Sequence, residues 1–350
     1  MKPLRILSAF SGAGGLDLGF ESTGLFSTAI CIESNPTYAQ TLIKNQNKSF
    51  FGHAFLRDAR IFSCSVHEFI TLEANNLEKY KLDGVIGGPP CQPFSTIGLR
   101  QGLSDPRAST LQDFADLVRL AQPTFFLFEN VPNLAWQWSG KVLEQIMKNL
   151  SLNDSYSISF KIVNAADYGA YTKRKRLIII GIKRSGHHNS APFVFPMASH
   201  IKKSAQNSVF TLPFWEPVSK VIGDLPPPSK NREQFPTHHV YVTHKPEIVA
   251  RFQLLRPGEQ DKKRKRWRLD PEQPSNSLMA GGDGGFVFHI HPSEPRELTS
   301  RECARIQGFS DEFDFNGKPL DVAKQIVNAV PRQLGCAMAS GIYRHLENII

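Results

Sequence analysis

RILSAFSGAGGLDLGF, Arg5 to Phe20, opens as an apolar run and breaks into glycines at 12, 14 and 15. A strand that ends in glycines can turn tightly and bring its backbone close to a ligand. The stretch departs from both common phosphate fingerprints. Asp17 stands where the dinucleotide pattern GxGxxG has its third glycine, and no Lys-Ser or Lys-Thr pair follows to make a P-loop. A second apolar run, FSTAICIES, then ends in Glu33, an acid placed to accept hydrogen bonds from ribose hydroxyls. The pair points to a nucleoside cofactor without saying which.

Further apolar runs follow: KLDGVIGG, PTFFLFENV, SISFKIVNA and RLIIIGIKR. Between the strands lie PTYAQTLIKN, LQDFADLVRLA and VLEQIMKNL, whose apolar residues recur at three and four. Alternating strands and helices of this length predict an α/β fold with a Rossmann-like, doubly wound, mostly parallel sheet. Such sheets bind ligands at the carboxyl ends of their strands, and every unusual motif in this chain sits at such an end.

Five cysteines (Cys31, Cys64, Cys91, Cys303, Cys336) are scattered with no CxxC pair and no Cys/His cluster, which argues against a disulfide framework or a metal site. The N-terminus enters a strand directly, and no apolar run approaches the roughly 18 residues of a membrane span. A soluble cytoplasmic protein without metal is expected. The formal charge is +9, and the segment from Lys183 to Ile290 carries +7 of it, with 16 Lys and Arg against 9 Asp and Glu. The same segment holds 12 of the 24 prolines, so it reads as a basic, loop-rich insert suited to a polyanion, with nucleic acid first. A merely soluble basic surface is the plainer reading.

In GGPPCQPFS, Gly87 to Ser95, Cys91 sits between paired prolines and a Gln-Pro at the end of an apolar run. A free cysteine is usually a buried filler; one held on a proline-stiffened turn is placed as a nucleophile. The order of strand-end motifs decides between these. After FSGAGG and Glu33 come Asp58 in LRDARIF, then GPPCQPFS, FENV with Glu129, TKRKR with Arg174 and Arg176, LTSRECARIQGF, and QIVNAVP. This series resembles the cytosine-C5 DNA methyltransferases from Leu4 to Gly335, and the basic segment lies where that family places its variable target-recognition region.

The resemblance implies residues 1–182 as a catalytic domain binding S-adenosylmethionine, 183–290 as a smaller, loop-rich target-recognition domain, and 291–350 as a segment returning to the first. It implies Cys91 as the nucleophile that adds to cytosine C6, Glu129 as the acid facing N3, and Arg174 and Arg176 in the cleft, Arg176 near O2. Phe10 would stack on adenine; Gly12, Gly14 and Pro90 would border the cofactor, Glu33 would hold the ribose and Asp58 the adenine amino group. Asn328 and Val330 would close the methionine end. Gln92 and Ser95, the run Lys262, Lys263, Arg264 and Arg266, and Gly281 and Gly282 are the expected contacts to double-stranded DNA. Thr172 stands where the family usually has glutamine, and Ser34 where it often has a large apolar residue.

Base flipping follows, because the cysteine must lie over C6 of an unstacked base. A monomeric bacterial or phage modification enzyme of a restriction–modification system is expected. Two alternatives are weighed: a transfer-RNA cytosine methyltransferase sharing the PPCQPF motif, and a catalytically silent DNA-binding relative. The long basic insert and LTSRECARIQGF favour DNA over transfer RNA. The joint presence of Cys91, Glu129 and both arginines favours an enzyme. LTSRECARIQGF itself reads as structural, with Thr299 and Glu302 as a capping box, Gly308 as a helix stop and Cys303 buried.

Overall fold

The structure is a computed structural model and describes residues 2–90, 109–184, 191–203, 212–231, 233–241, 243–263, 265–280 and 286–347. The chain runs β1 (Leu4–Ala9), α1 (Gly15–Glu21), β2 (Phe26–Ile32), α2 (Pro36–Asn45), a small hairpin of β3 (Ser49–Phe50) and β4 (His53–Ala54), β5 (Arg60–Phe62), α3 (Val66–Glu73) and β6 (Gly84–Gly87). Then come α4 (Ser109–Ala121), β7 (Phe125–Asn130), α5 (Lys141–Ser151), β8 (Tyr156–Asn164) and β9 (Lys175–Lys183). Every strand and helix expected by pattern in the first 183 residues is present, and β5 is an addition that its three residues were too short to announce.

Seven strands make one sheet in the order β5-β2-β1-β6-β7-β9-β8. The five from β5 to β7 are parallel, and β9 runs antiparallel to both of its neighbours. The chain winds outward from β1 to β2 and β5, then returns to lay β6 and β7 on the other side. The reversal of direction therefore falls between β1 and β6, where parallel sheets open a crevice at their carboxyl ends.

Period-2 alternation buries both faces of this sheet. Leu7, Val85, Phe126, Phe128 and Ile179 pack on one face under Phe69 of α3, Phe114 and Val118 of α4 and Ile146 of α5. Ile6, Ile86, Phe125, Leu127 and Ile178 fill the other face under Phe20 of α1 and residues of a C-terminal helix, α10 (Arg332–Glu347). Each such fully buried side chain contributes about 1.5–3 kcal/mol relative to exposure. Helices α1 and α10 cross at glycines: a Cβ on Gly19 would lie 2.7 Å from the Gly335 Cα. The two backbones touch, and no larger residue fits between them.

The segment from Lys183 to Ile290 contributes short elements: α6 (Ser219–Ile222), α7 (Pro246–Gln253), the ladder β10 (Gln260–Asp261) with β11 (Arg266–Trp267), and the ladder β12 (Met279–Ala280) with β13 (Phe286–Val287). Its Val218, Ile222, Leu269, Leu278 and Phe288 share one apolar cluster with Leu18, Leu42, Phe55 and the aromatic group Phe309, Phe313 and Phe315. Behind it, α8 (Ser300–Ile306) and α9 (Pro319–Asn328) lead back to the sheet. Thr299 caps α8 with a reciprocal bond to Glu302, Cys303 is buried, and Gly308 takes a φ of 90° just past the helix end.

Candidate active site

The crevice at the carboxyl ends of β1, β2, β6 and β7 is a cavity of about 430 Å³, within the range of small-molecule sites. Phe10, Gly12, Glu33, Pro90, Asn328 and Val330 line it, all expected there from the sequence, together with Glu129, Arg174 and Arg176. Residues far apart in the chain converge because parallel strands present every carboxyl end on one edge of the sheet. β9 arrives from the opposite direction, so its N-terminal end reaches the same edge: Asn130 pairs with Leu177 and Glu129 with Ile178.

The glycine-rich turn is held open by Glu33. One carboxylate oxygen accepts from the Gly12 N–H at 2.7 Å and the other from the Asn35 N–H at 2.7 Å, while the Asn35 side chain caps α2. Phe10 and Gly12 adopt left-handed φ values of 54° and 57°. A Cβ on Gly12 would meet nothing within 4 Å, so the turn borders empty space of ligand size. Burial pushes the Glu33 carboxyl up, against the pull of the two backbone donors.

Glu129 is 9 % exposed at the end of β7 and pairs with Arg176, whose Nε lies 2.5 Å from Oε1. Burial raises the carboxyl above its ordinary range, and the Arg176 charge and hydrogen bond work against that rise. On the other side, a Cβ on Gly88 would lie 2.7 Å from the Glu129 Oε2, so the glycine leaves room for the carboxylate. The Asn130 side-chain amide donates to the Pro89 carbonyl at 3.0 Å, tying the end of β7 to the proline turn. Pro90 is the last described residue before Cys91, so Glu129 stands against the turn that carries the candidate nucleophile.

Arg174 and Arg176 are both buried and Lys175 between them is exposed, as alternation at a strand start requires. Thr172, Lys173 and Arg174 are stitched to residues 275–278. Thr172 bridges Ser275, the Ser275 N–H donates to the Tyr171 carbonyl, the Lys173 N–H donates to the Ser275 carbonyl, and Arg174 Nη1 donates to the Leu278 carbonyl at 3.3 Å. His289 Nε2 lies 3.2 Å from the Ser277 carbonyl, and burial lowers its pKa to about 4, so the neutral ring donates there. The basic segment thus forms part of the wall behind the arginines.

Two expected cofactor residues lie outside the lining of this cavity, and one expected phosphate contact is buried. Gly14 does not line the cavity; it precedes α1 at φ 79°, and a Cβ there would strike the Phe55 ring at 2.7 Å, so its glycine serves packing. Asp58 does not line the cavity either: left-handed turns at Leu56 and Asp58 leave its side chain in solvent ahead of β5. Arg266, expected on phosphates, is buried in an ion pair with Glu297. Lys262 and Lys263 are exposed at the tip of the β10–β11 ladder, while Arg268 donates to the carbonyls of Phe252, Leu255, Pro292 and Ser293. Cys91, Gln92, Ser95, Arg264, Gly281 and Gly282 lie outside the described residues.

Other cavity residues carried weaker signals. Asp17, fully buried, was visible as the residue replacing a glycine of the dinucleotide pattern. Tyr38, on the first turn of α2, brings an aromatic ring to the wall that Ser34, just before the helix, also lines. Gln325 lines the far end and donates to the Asn316 carbonyl at 2.8 Å; only the folded chain brings it to β1. Gln307 fixes that end of the wall by donating to the carbonyls of Ile326 and Ala329.

Residues 4–344 match the family described as C-5 cytosine-specific DNA methylase. Among curated proteins, the Type II methyltransferase M1.HphI of Haemophilus parahaemolyticus is 32% identical over 99% of this chain and 88% of its own length. The Type II methyltransferase M.MthTI of Methanothermobacter thermautotrophicus is 31% identical over 99% of both chains. Among solved structures, one described as a DNA modification methyltransferase encoded within an E. coli prophage superposes with a TM-score of 0.72 at 26% identity, covering 98% of this chain and 99% of the other. The S. pombe Dnmt2 methyltransferase superposes at 0.63 with 15% identity, over 99% of both chains, and speaks for the fold alone.

Proposed function

The chain belongs to the C-5 cytosine-specific DNA methylase family, and from that premise we propose that it methylates C5 of a flipped cytosine in a specific duplex sequence, using S-adenosylmethionine, as the modification enzyme of a restriction–modification pair. The observation that carries this reading is the contact of Glu129 with Arg176 and with the turn leading to Cys91, in the same cavity as the Glu33-braced glycine turn.

The residues present fit the cofactor: an aromatic ring at Phe10, an acid at Glu33 for the ribose, open space over Gly12 and a buried carboxylate at Asp17. Bound there, S-adenosylmethionine supplies an electrophilic methyl group. The chain's own task is to make a poor carbon nucleophile reactive. The Cys91 thiolate adds to C6 of the cytosine, and the electron pair pushed onto the ring is met at N3 by a proton or hydrogen bond from Glu129. The ring activated in this way has a nucleophilic C5, which would take the methyl group as its bond to sulfur breaks and the electron pair returns to sulfur, leaving the neutral thioether. Loss of the C5 proton and expulsion of Cys91 restore the ring. Arg176 holds the Glu129 carboxyl in place, and Arg174 is held at the cleft by the Leu278 carbonyl.

The segment 183–290 reads the sequence, with Lys262 and Lys263 on phosphates. A monomer suffices, because one chain lines the whole cavity, and the reaction belongs in the cytoplasm with the DNA. Bisulfite sequencing of DNA from cells expressing the protein tests the reading directly: conversion-resistant cytosines at one short motif are expected. Duplex DNA with 5-fluorocytosine at that motif should trap the protein in a denaturation-resistant complex that Cys91→Ala abolishes. Unmodified DNA together with modified transfer RNA would overturn the DNA reading.

A further inference from the structure

Three carboxylates line the cavity, and two of them are engaged. Glu33 accepts from two backbone N–H groups, and Glu129 pairs with Arg176. Asp17 differs. It lies on the first turn of α1 with no exposed surface; the Ser8 side chain, its own backbone N–H and the Cys31 thiol, 3.8 Å from Oδ1, face the carboxylate, and Oδ2 meets no partner at hydrogen-bond distance. Its neighbour one turn on, Glu21, is also buried, yet its two oxygens accept from the Thr28 and Leu56 backbones, as a purely structural acid should. A carboxylate buried without such partners carries a large desolvation cost, and a cation placed nearby offsets it.

The position of Asp17 points to where that cation comes from. It borders the cavity with Ser8, Gly15 and Leu16, on the turn of α1 whose Gly15 packs against Val330, where a Cβ would lie 2.8 Å from the carbonyl. We propose that Asp17 is the counter-charge of this cavity, holding the cationic sulfonium cofactor more tightly than the neutral thioether product that methyl transfer leaves behind. The inference rests on the reading of S-adenosylmethionine as the cofactor. A fixed carboxylate in a partly dry cavity would attract a bound cation strongly enough to bias binding, and loss of the cationic charge on methyl transfer would remove that attraction. Asp17 thereby favours exchange of spent product for fresh cofactor.

Calorimetric titration at pH 8 tests this with three probes: S-adenosylmethionine, S-adenosylhomocysteine, and the analogue carrying an amine-bearing carbon in place of the sulfonium. In Asp17→Asn, the affinity for the two cationic probes should fall about tenfold or more, and that for S-adenosylhomocysteine should stay within about twofold. Equal losses for cationic and neutral probes, or no loss for any, would overturn the proposal. Should Asp17→Asn fail to fold, Asp17→Ser is read by the same ratio. A wild-type protein that binds none of the probes would overturn the cofactor reading and the proposal with it.

Discussion

Gly88→Ala separates the fold from the chemistry. The new methyl carbon would stand 2.7 Å from the Glu129 Oε2, whereas ordinary contact begins at 3.4 Å, so the carboxylate must retreat by about 0.7 Å. Retreat costs the fold little: the obstructing atom is Oε2 at the far end of a side chain whose Oε1 is the oxygen on Arg176, and Gly88 does not hold a left-handed backbone that alanine would resist. Chemistry is less forgiving, because a misplacement of about 1 Å can cost about a hundredfold in rate. Scaling to the smaller shift, methyl transfer should slow about ten- to a hundredfold, with a melting temperature within a few degrees of wild type. Cofactor affinity should change by less than about threefold, since the methyl points at Glu129 and away from the glycine turn. Single-turnover methylation of duplex DNA with saturating cofactor reads the chemical step. A rate within twofold of wild type would show that the placement of Glu129 against the Gly88 turn does not matter, and the role assigned to Glu129 would fall with it.

Glu129→Gln should slow transfer about a hundredfold or more while leaving cofactor affinity near wild type; a loss confined to cofactor binding would move Glu129 to the cofactor site. Because burial raises the Glu129 carboxyl, the wild-type rate should decline as pH rises through that raised value, and the Gln variant should lack this limb. Asp17, raised by burial to about 6 from 3.8, binds a proton more readily folded than unfolded, so its contribution to stability is present below about pH 4 and is lost as pH rises through 6. Asp17→Asn should therefore melt higher than wild type at pH 8 and match it at pH 4; calorimetric scans at the two pH values decide. Neutralising Lys262 and Lys263 together should weaken DNA binding about equally at all sequences and reduce the salt slope by up to about 2, as fluorescence anisotropy against salt would report. Arg266→Gln should instead lower the melting temperature, because it removes the guanidinium charge from the buried Glu297.

The sheet was legible because continuous apolar runs such as FFLFEN suit strands buried on both faces, and because PTYAQTLIKN has helical spacing and follows its cap, Asn35. The cavity was legible for the same reason that made the sheet so: strand ends are local features, and a parallel sheet brings them to one edge. What escaped were contacts made by long-range closure. Nothing near Arg266 in sequence reveals that it meets Glu297, so a run of basic residues read as one surface when its members face opposite ways. Asp58 was placed by its order among the motifs, but left-handed turns at Leu56 and Asp58 turned the side chain away, and no residue type announces that. Gln325 reaches the cavity only after more than three hundred residues of folding have brought α9 to β1.

The glycine-to-glycine crossing of α1 and α10 sets an order of events during synthesis. Phe10, Gly12 and Glu33 leave the ribosome early, yet the wall that faces them, Gln325 to Val330, is held against α1 by a helix made last. A growing chain therefore holds its glycine turn and its basic segment before it owns a closed cofactor cavity. A chain cut short before Gly335 would lose that crossing and leave one face of the sheet without its cover. Every residue of the glycine turn would be present in such a chain, yet the wall those residues face would have nothing to hold it against α1.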